Sequence, residues 1–115
     1  MGIKNAGENF PLHDDSRILE INSPQNSVGG PYVVVYKNME ERWAIVALDW
    51  DEEPCLGIRW FWGSSGNPIS TTYAIWLVIP NLLKTPILSA LPLDTRFRKK
   101  LDDFLTGKIQ GTDLG

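Results

Sequence analysis

Four carboxylates crowd one corner of the sequence: Asp49, Asp51, Glu52 and Glu53. Carboxylates so close together suggest either acid–base work or capture of a hard cation. Calcium needs roughly six to eight oxygens placed by a longer loop, and a general acid needs shaped, partly dry surroundings. A short hairpin tip supplies neither, so the run reads as a solvated turn. His13 is the only histidine and precedes Asp14 and Asp15, while Cys55 is the only cysteine. A Ser-His-Asp or Cys-His pair would need His13 docked onto the body of the protein, away from the polar arm it sits in. Between Pro54 and Leu56, Cys55 reads as a small buried hydrophobe. One cysteine allows neither an internal disulfide nor a multi-cysteine metal site. We therefore assign no catalytic residue, no metal ligand and no cofactor.

Arg59 is the most informative charged side chain, because it lies among rings in Arg59-Trp60-Phe61-Trp62. A guanidinium there can stack on an aromatic face, pair with Asp49 across a hairpin, or grip an anionic ligand. Pairing with Asp49 is the leading expectation. The basic cluster Arg96, Arg98, Lys99 and Lys100 is offset by Asp102 and Asp103 and reads as the solvated back of an amphipathic helix. "GSSGNP", residues 63–68, has the small residues of a loop that could hug a ligand, but lacks the Lys-Ser/Thr of a phosphate-binding loop.

These residues must be positioned by a sheet. Trp43 to Trp50 places Trp43, Ile45, Ala47 and Asp49 on one face and Ala44, Val46, Leu48 and Trp50 on the other. Cys55 to Trp62 sets Leu56, Ile58, Trp60 and Trp62 against Cys55, Gly57, Arg59 and Phe61. The corner between these runs is short enough for an antiparallel hairpin, with its register left open. Tyr32–Tyr36 and Thr72–Ile79 are two further strands, and the looser alternation of Ser16–Asn22 predicts another. Thr85-Pro86 predicts the start of a short helix through Leu91. Asp94 caps a longer one over Thr95–Thr106, with Gly107 as its stop and Phe97, Leu101, Phe104 and Leu105 as its apolar stripe.

The expected fold class is therefore α+β: an antiparallel, strongly twisted sheet of about five strands, followed by two C-terminal helices packed on one face. Residues 1–15 form a mobile arm that Phe10 and Leu12 could pin, residues 16–107 form one domain, and residues 108–115 fray. A net charge of −3 and a pI near 5.0 give no general pull toward nucleic acid or anionic membrane. Met1–Asn5 carries no apolar run of the signal-peptide kind and no segment approaches a membrane span, so the cytoplasm is the expected compartment.

The difficulty is that both faces of the strands look apolar. Helices on one side would leave the other uncovered, although an antiparallel sheet with one wet face should alternate apolar with polar. A second copy, a ligand, or curling of the sheet on itself would each cover it, and a homodimer is the leading expectation.

The run "RWAIVALDWDEEPCLGIRWFWGSSGNPIS", with "WLVIP" and "LSALPL" after it, resembles small bacterial proteins carried on mobile integron gene cassettes. The resemblance covers residues 42–93 and implies an accessory bacterial protein, without implying an activity. A strand meander with "LGIRWFW" at its centre, followed by a helix, is also similar to single-stranded-DNA-binding transcriptional coactivator domains. That likeness implies dimers that bind strands through basic and aromatic side chains. Here the rings are present, but the strands carry almost no cations beyond Arg17, Arg42 and Arg59.

The functional expectation is a non-enzymatic interaction protein. It uses a Trp-rich sheet face for self-association and for binding a protein partner or small apolar ligand, with Trp43, Arg59, Trp60, Trp62, Asn67 and Trp76 as candidate site residues. Single-stranded nucleic-acid binding is the second reading, and an enzyme with a groove on the sheet is the third.

Overall fold

In the computed structural model, the described residues are 12–61, 68 and 74–115. The central hairpin follows the alternation of its sequence. Strands β2 (Trp43–Trp50) and β3 (Glu53–Trp60) pair antiparallel from Trp43 opposite Trp60 to Trp50 opposite Glu53, without a bulge. Their two-residue turn holds Asp51 at φ 50° and Glu52 at φ 70°. Positive φ at both central positions matches the right-handed twist of the strands, which is why such turns favour Asn-Gly or Asp-Gly.

Strand β1 (Val28–Asn38) pairs antiparallel with β2 on its other side. Its register slips between Gly29 and Val33 and again between Val34 and Tyr36. These bulges break strict alternation: Tyr32, Val33, Val35 and Tyr36 all pack toward one core, and Val34 toward the other. Strand β4 is only Leu77–Val78, antiparallel to β3, with an isolated parallel bridge between Ser23 and Ile75. The sheet order is β1-β2-β3-β4.

Two expected strands are thus corrected. Thr72–Ile79 contributes a two-residue strand, with residues 71–73 outside the described set. Ser16–Asn22 is no strand: Asp15–Leu19 forms helix α1, whose Ile18 is buried, with Ile21 buried just beyond it. Seven residues bearing Ile18, Leu19 and Ile21 satisfy a helical period as well as a loose alternation, and packing onto the sheet decides between them. The sheet has four strands rather than five.

At the C-terminal end, helix α2 spans Asn81–Ala90 and helix α3 spans Thr95–Leu105. The first begins a turn earlier than Thr85-Pro86 suggests, so Pro86 lies inside the helix rather than at its start. A proline there supplies no N–H for the carbonyl one turn back. Helix α3 follows its sequence: the Asp94 carboxylate accepts from the backbone N–H groups of Arg96 and Phe97, and Gly107 closes it at φ 81°. Residues 108–115 do not fray at their end. Gly111–Leu114 forms a 3-10 turn with Gly111 and Leu114 buried, and the Asp113 carboxylate accepts from the Gln110 N–H.

The spare face is covered from within the chain. One core joins Ala44, Val46 and Leu48 of β2 to Leu12, Ile18 and Ile21, with Phe61 and Trp76 at its side. The other joins Val35, Ile45, Ala47 and Leu56 to Leu88 of α2, Leu101 and Phe104 of α3, and Leu114. Full burial of Leu101 and Phe104 contributes about 2 kcal/mol each. The N-terminal segment covers one face and the C-terminal helices the other, which removes the need for a second copy over either whole face. Leu12, at 1% exposure, is part of that cover, and residues 1–11 lie outside the described set.

Candidate functional site

The alternation that buries β2 on both sides also leaves a gap at one end of the sheet. Trp43 and Ile45 from β2, Ile58 from β3, Leu77 from β4, and Leu83 and Ile87 from α2 line an open cleft of about 500 Å3. Leu83 and Ile87 are one helical turn apart, so α2 presents them together to the sheet. Val78, Ile79 and Pro80 complete a wall that is almost wholly apolar. The volume is that of an ordinary small-molecule site, although such sites usually add a few convergent polar groups.

A ladder of rings runs beside the cleft. Tyr36 and Trp43 stand with centroids 5.7 Å apart, and Trp43 and Trp60 with centroids 6.4 Å apart. Trp60 keeps 37% of its surface open, while Trp43 is half-buried and its indole N–H donates to Glu41 Oε1 at 2.9 Å. Leu77 is 54% exposed and Leu82, next to the cleft, 86%.

Of the six residues expected to form the site, four are described: Trp43 lines the cleft, and Trp60 stands beside it against the Trp43 ring. Arg59 and Trp76 lie on the opposite face. Arg59 is buried and donates to the carbonyls of Pro68 (2.8 Å) and Ile75 (3.1 Å), with its guanidinium 5.6 Å from the Phe61 ring centre. It therefore ties β3 to the chain entering β4 and does not pair with Asp49, which points to the other face. Trp76 is buried, and its indole N–H donates to the Ile21 carbonyl at 2.6 Å, locking the N-terminal cover to the sheet. Trp62 and Asn67 lie outside the described residues.

Leu77, Leu83 and Ile87 are the site residues that strand reasoning misses. A signal for them exists: between Arg59 and Asp94 the chain carries a single charged residue, Lys84. Its ammonium donates to the Pro54 carbonyl at 3.0 Å, which holds that charge toward the start of β3.

A second, more polar cleft of about 320 Å3 lies between the β2–β3 turn and the end of α3, lined by Tyr32, Asp49, Glu52, Gln110 and Thr112. The Tyr32 hydroxyl donates to Asp49 Oδ2, and its ring meets Phe104 edge-on. Burial, reinforced by the Asp49 hydrogen bond and charge, pushes the Tyr32 phenol up to about 12. At neutral pH the phenol keeps its proton and occupies the carboxylate, so the pair offers neither a base nor a nucleophile. Burial likewise pushes the Cys55 thiol up to about 11, which leaves it protonated and unreactive. His13 is exposed, in contrast to buried Cys55. Among the described residues no group of three His, Cys, Asp or Glu side chains is placed to hold a metal ion, and no helix is long and apolar enough to cross a membrane.

Comparison of the chain with protein families, with curated proteins and with solved structures found no match. The functional reading therefore rests on the apolar cleft and the rings beside it.

Proposed function

We propose that this chain is a non-enzymatic binding protein of accessory type, and that the cleft between α2 and the β2–β4 side of the sheet takes a small apolar ligand. The single observation that carries this reading is a cleft of about 500 Å3 with almost no polar wall, flanked by the half-open Trp60. Such a surface gains by losing water, at about 25 cal/mol per Å2 of apolar area covered. Among the described residues it has no directed polar groups of the kind chemistry requires.

The same apolar wall supports the homodimer reading, because an interface centre is depleted in charged side chains. Single-stranded nucleic-acid binding draws less support. It needs stacking rings interleaved with cations, whereas Arg59 is buried on the far face and the carboxylate of Glu41 sits at the Trp43 indole.

Titration with the hydrophobic probe 1-anilinonaphthalene-8-sulfonate, followed through tryptophan quenching, tests the cleft. Trp60→Ala should weaken binding by about tenfold or more while leaving the thermal transition near its original position. Unchanged affinity in both Trp60→Ala and Leu83→Asp, the latter at an exposed residue of the cleft wall, would remove the cleft as the binding site. Strong dependence on salt with an oligonucleotide in place of the probe would favour the nucleic-acid reading instead.

A further inference from the structure

Trp43 belongs to two neighbourhoods at once. Its side chain lines the apolar cleft, and its indole N–H donates to the carboxylate of exposed Glu41 at 2.9 Å. Glu41 is itself anchored, since its backbone N–H donates to Asn38 Oδ1 at 2.8 Å. Strand pairing sets Trp60 directly opposite Trp43, and Tyr36 of β1 completes a row of three rings. Each ring is tilted by 50° to the next, at 5.7 and 6.4 Å between centres. The apolar cleft therefore ends at aromatic rings and a carboxylate.

Charge gives this end a sign. The cations of the flanking elements are all engaged elsewhere. Lys37 of β1 pairs with Asp15 of α1, and Arg42 donates to the Phe61 carbonyl. Arg59 donates to the carbonyls of Pro68 and Ile75 on the opposite face, and Lys84 of α2 donates to that of Pro54. Ring faces attract a cation through their quadrupole, and the Glu41 carboxylate adds a full negative charge beside them.

The wall narrows the kind of cation. A primary ammonium or a guanidinium brings several N–H donors, and an almost wholly apolar cleft has next to no acceptors for them. Donors buried without partners cost free energy. A quaternary ammonium has no N–H, so its methyl groups can lie on ring faces while an apolar substituent fills the cleft. We infer that the cleft takes an apolar quaternary ammonium ion, with its hydrocarbon part between α2 and the sheet and its charged head against Trp43, Trp60 and the Glu41 carboxylate. This rests on the cleft reading above and names the class of ligand for it.

Two probes of one shape separate charge from size: phenyltrimethylammonium and its neutral isostere tert-butylbenzene, each followed by tryptophan quenching. Glu41→Gln keeps an acceptor for the Trp43 indole and removes the charge at an exposed position. It should weaken phenyltrimethylammonium by about fivefold and leave tert-butylbenzene unchanged. Trp60→Leu keeps an apolar side chain without the ring, and should weaken the cation selectively. Glu53→Gln, at the other end of the hairpin and about 23 Å away along the strands, should weaken neither probe. Unchanged affinity for the cation in Glu41→Gln overturns the inference. An equal loss in Glu53→Gln does so too, since net charge alone would then explain the effect. Equal losses of both probes in Glu41→Gln also overturn it, because the residue would then only shape the cleft. Binding of tert-butylbenzene without the cation overturns the inference and leaves the cleft reading standing. Failure of both probes to bind sinks the cleft reading and the inference with it.

Discussion

Arg59 and Tyr32 show how the same side-chain chemistry changes meaning with its face of the sheet. An arginine flanked by tryptophans invites a binding role, but its position opposite Ala44 places it in the core, where its donors satisfy two carbonyls of the chain leading into β4. Strand alternation alone placed Arg59 opposite in face to Trp60, and that much was legible. Its partners were not, because they depend on the path of residues beyond the strand. Tyr32 carries the clearest titration prediction. Its folded value near 12 exceeds the ordinary value of 10.0, since burial and the Asp49 carboxylate disfavour the phenolate. Stability from this group is therefore complete below about pH 10 and is lost as pH rises toward 12. Tyr32→Phe should lose that decline. Denaturant midpoints measured from pH 9 to pH 12 check it, and equal slopes for both proteins would refute the assignment.

At the scale of elements, the hairpin and the last helix were the most readable parts. The faces of β2 and β3 follow from period-2 alternation, and Asp94 and Gly107 mark the two ends of α3 by the chemistry of helix caps. The bulges of β1 were hidden, because a run of valines between tyrosines shows no sign of an inserted residue. Helix α1 was hidden for the opposite reason: too few residues to separate two periods. Pro86 misled by resembling a helix start, while α2 tolerates it in its interior. The β2–β3 turn also departs from expectation in a useful way. Glu52 adopts φ 70°, a conformation that costs a residue with a Cβ about 1 kcal/mol and glycine almost nothing. Glu52→Gly should therefore raise stability by about 1 kcal/mol, despite removing a side chain from the polar cleft. Thermal denaturation reads this directly, and a lower transition temperature would mean that Glu52 makes contacts outweighing its backbone strain.

For the molecule as a whole, the spare apolar face is legible in the sequence, but its leading expected cover, a second copy, is not the one found: the N-terminal segment and the C-terminal helices supply it. The N-terminal segment reads as a polar arm to residue 15 and as a strand beyond it, because its apolar anchors, Leu12, Ile18 and Ile21, are few and widely spaced. Three such side chains suffice because the sheet contributes the rest of that core. Strand β2 consequently acts as a party wall. Ala44, Val46 and Leu48 face the N-terminal cover, while Ile45 and Ala47 face the helices, and all five are buried. Tightly packed interiors deform little and pass strain along. An occupant that presses on Ile45 in the cleft moves backbone atoms shared with Ala44 and Val46, and so reaches α1 without touching it. Amide exchange at Ile18 and Ile21, whose N–H groups bond to the Asp14 and Ile18 carbonyls, should then slow or quicken when the hydrophobic probe fills the cleft. Unaltered exchange there would make the wall rigid and its two rooms acoustically separate. A measurable change would make the N-terminal segment a listener to whatever the cleft holds.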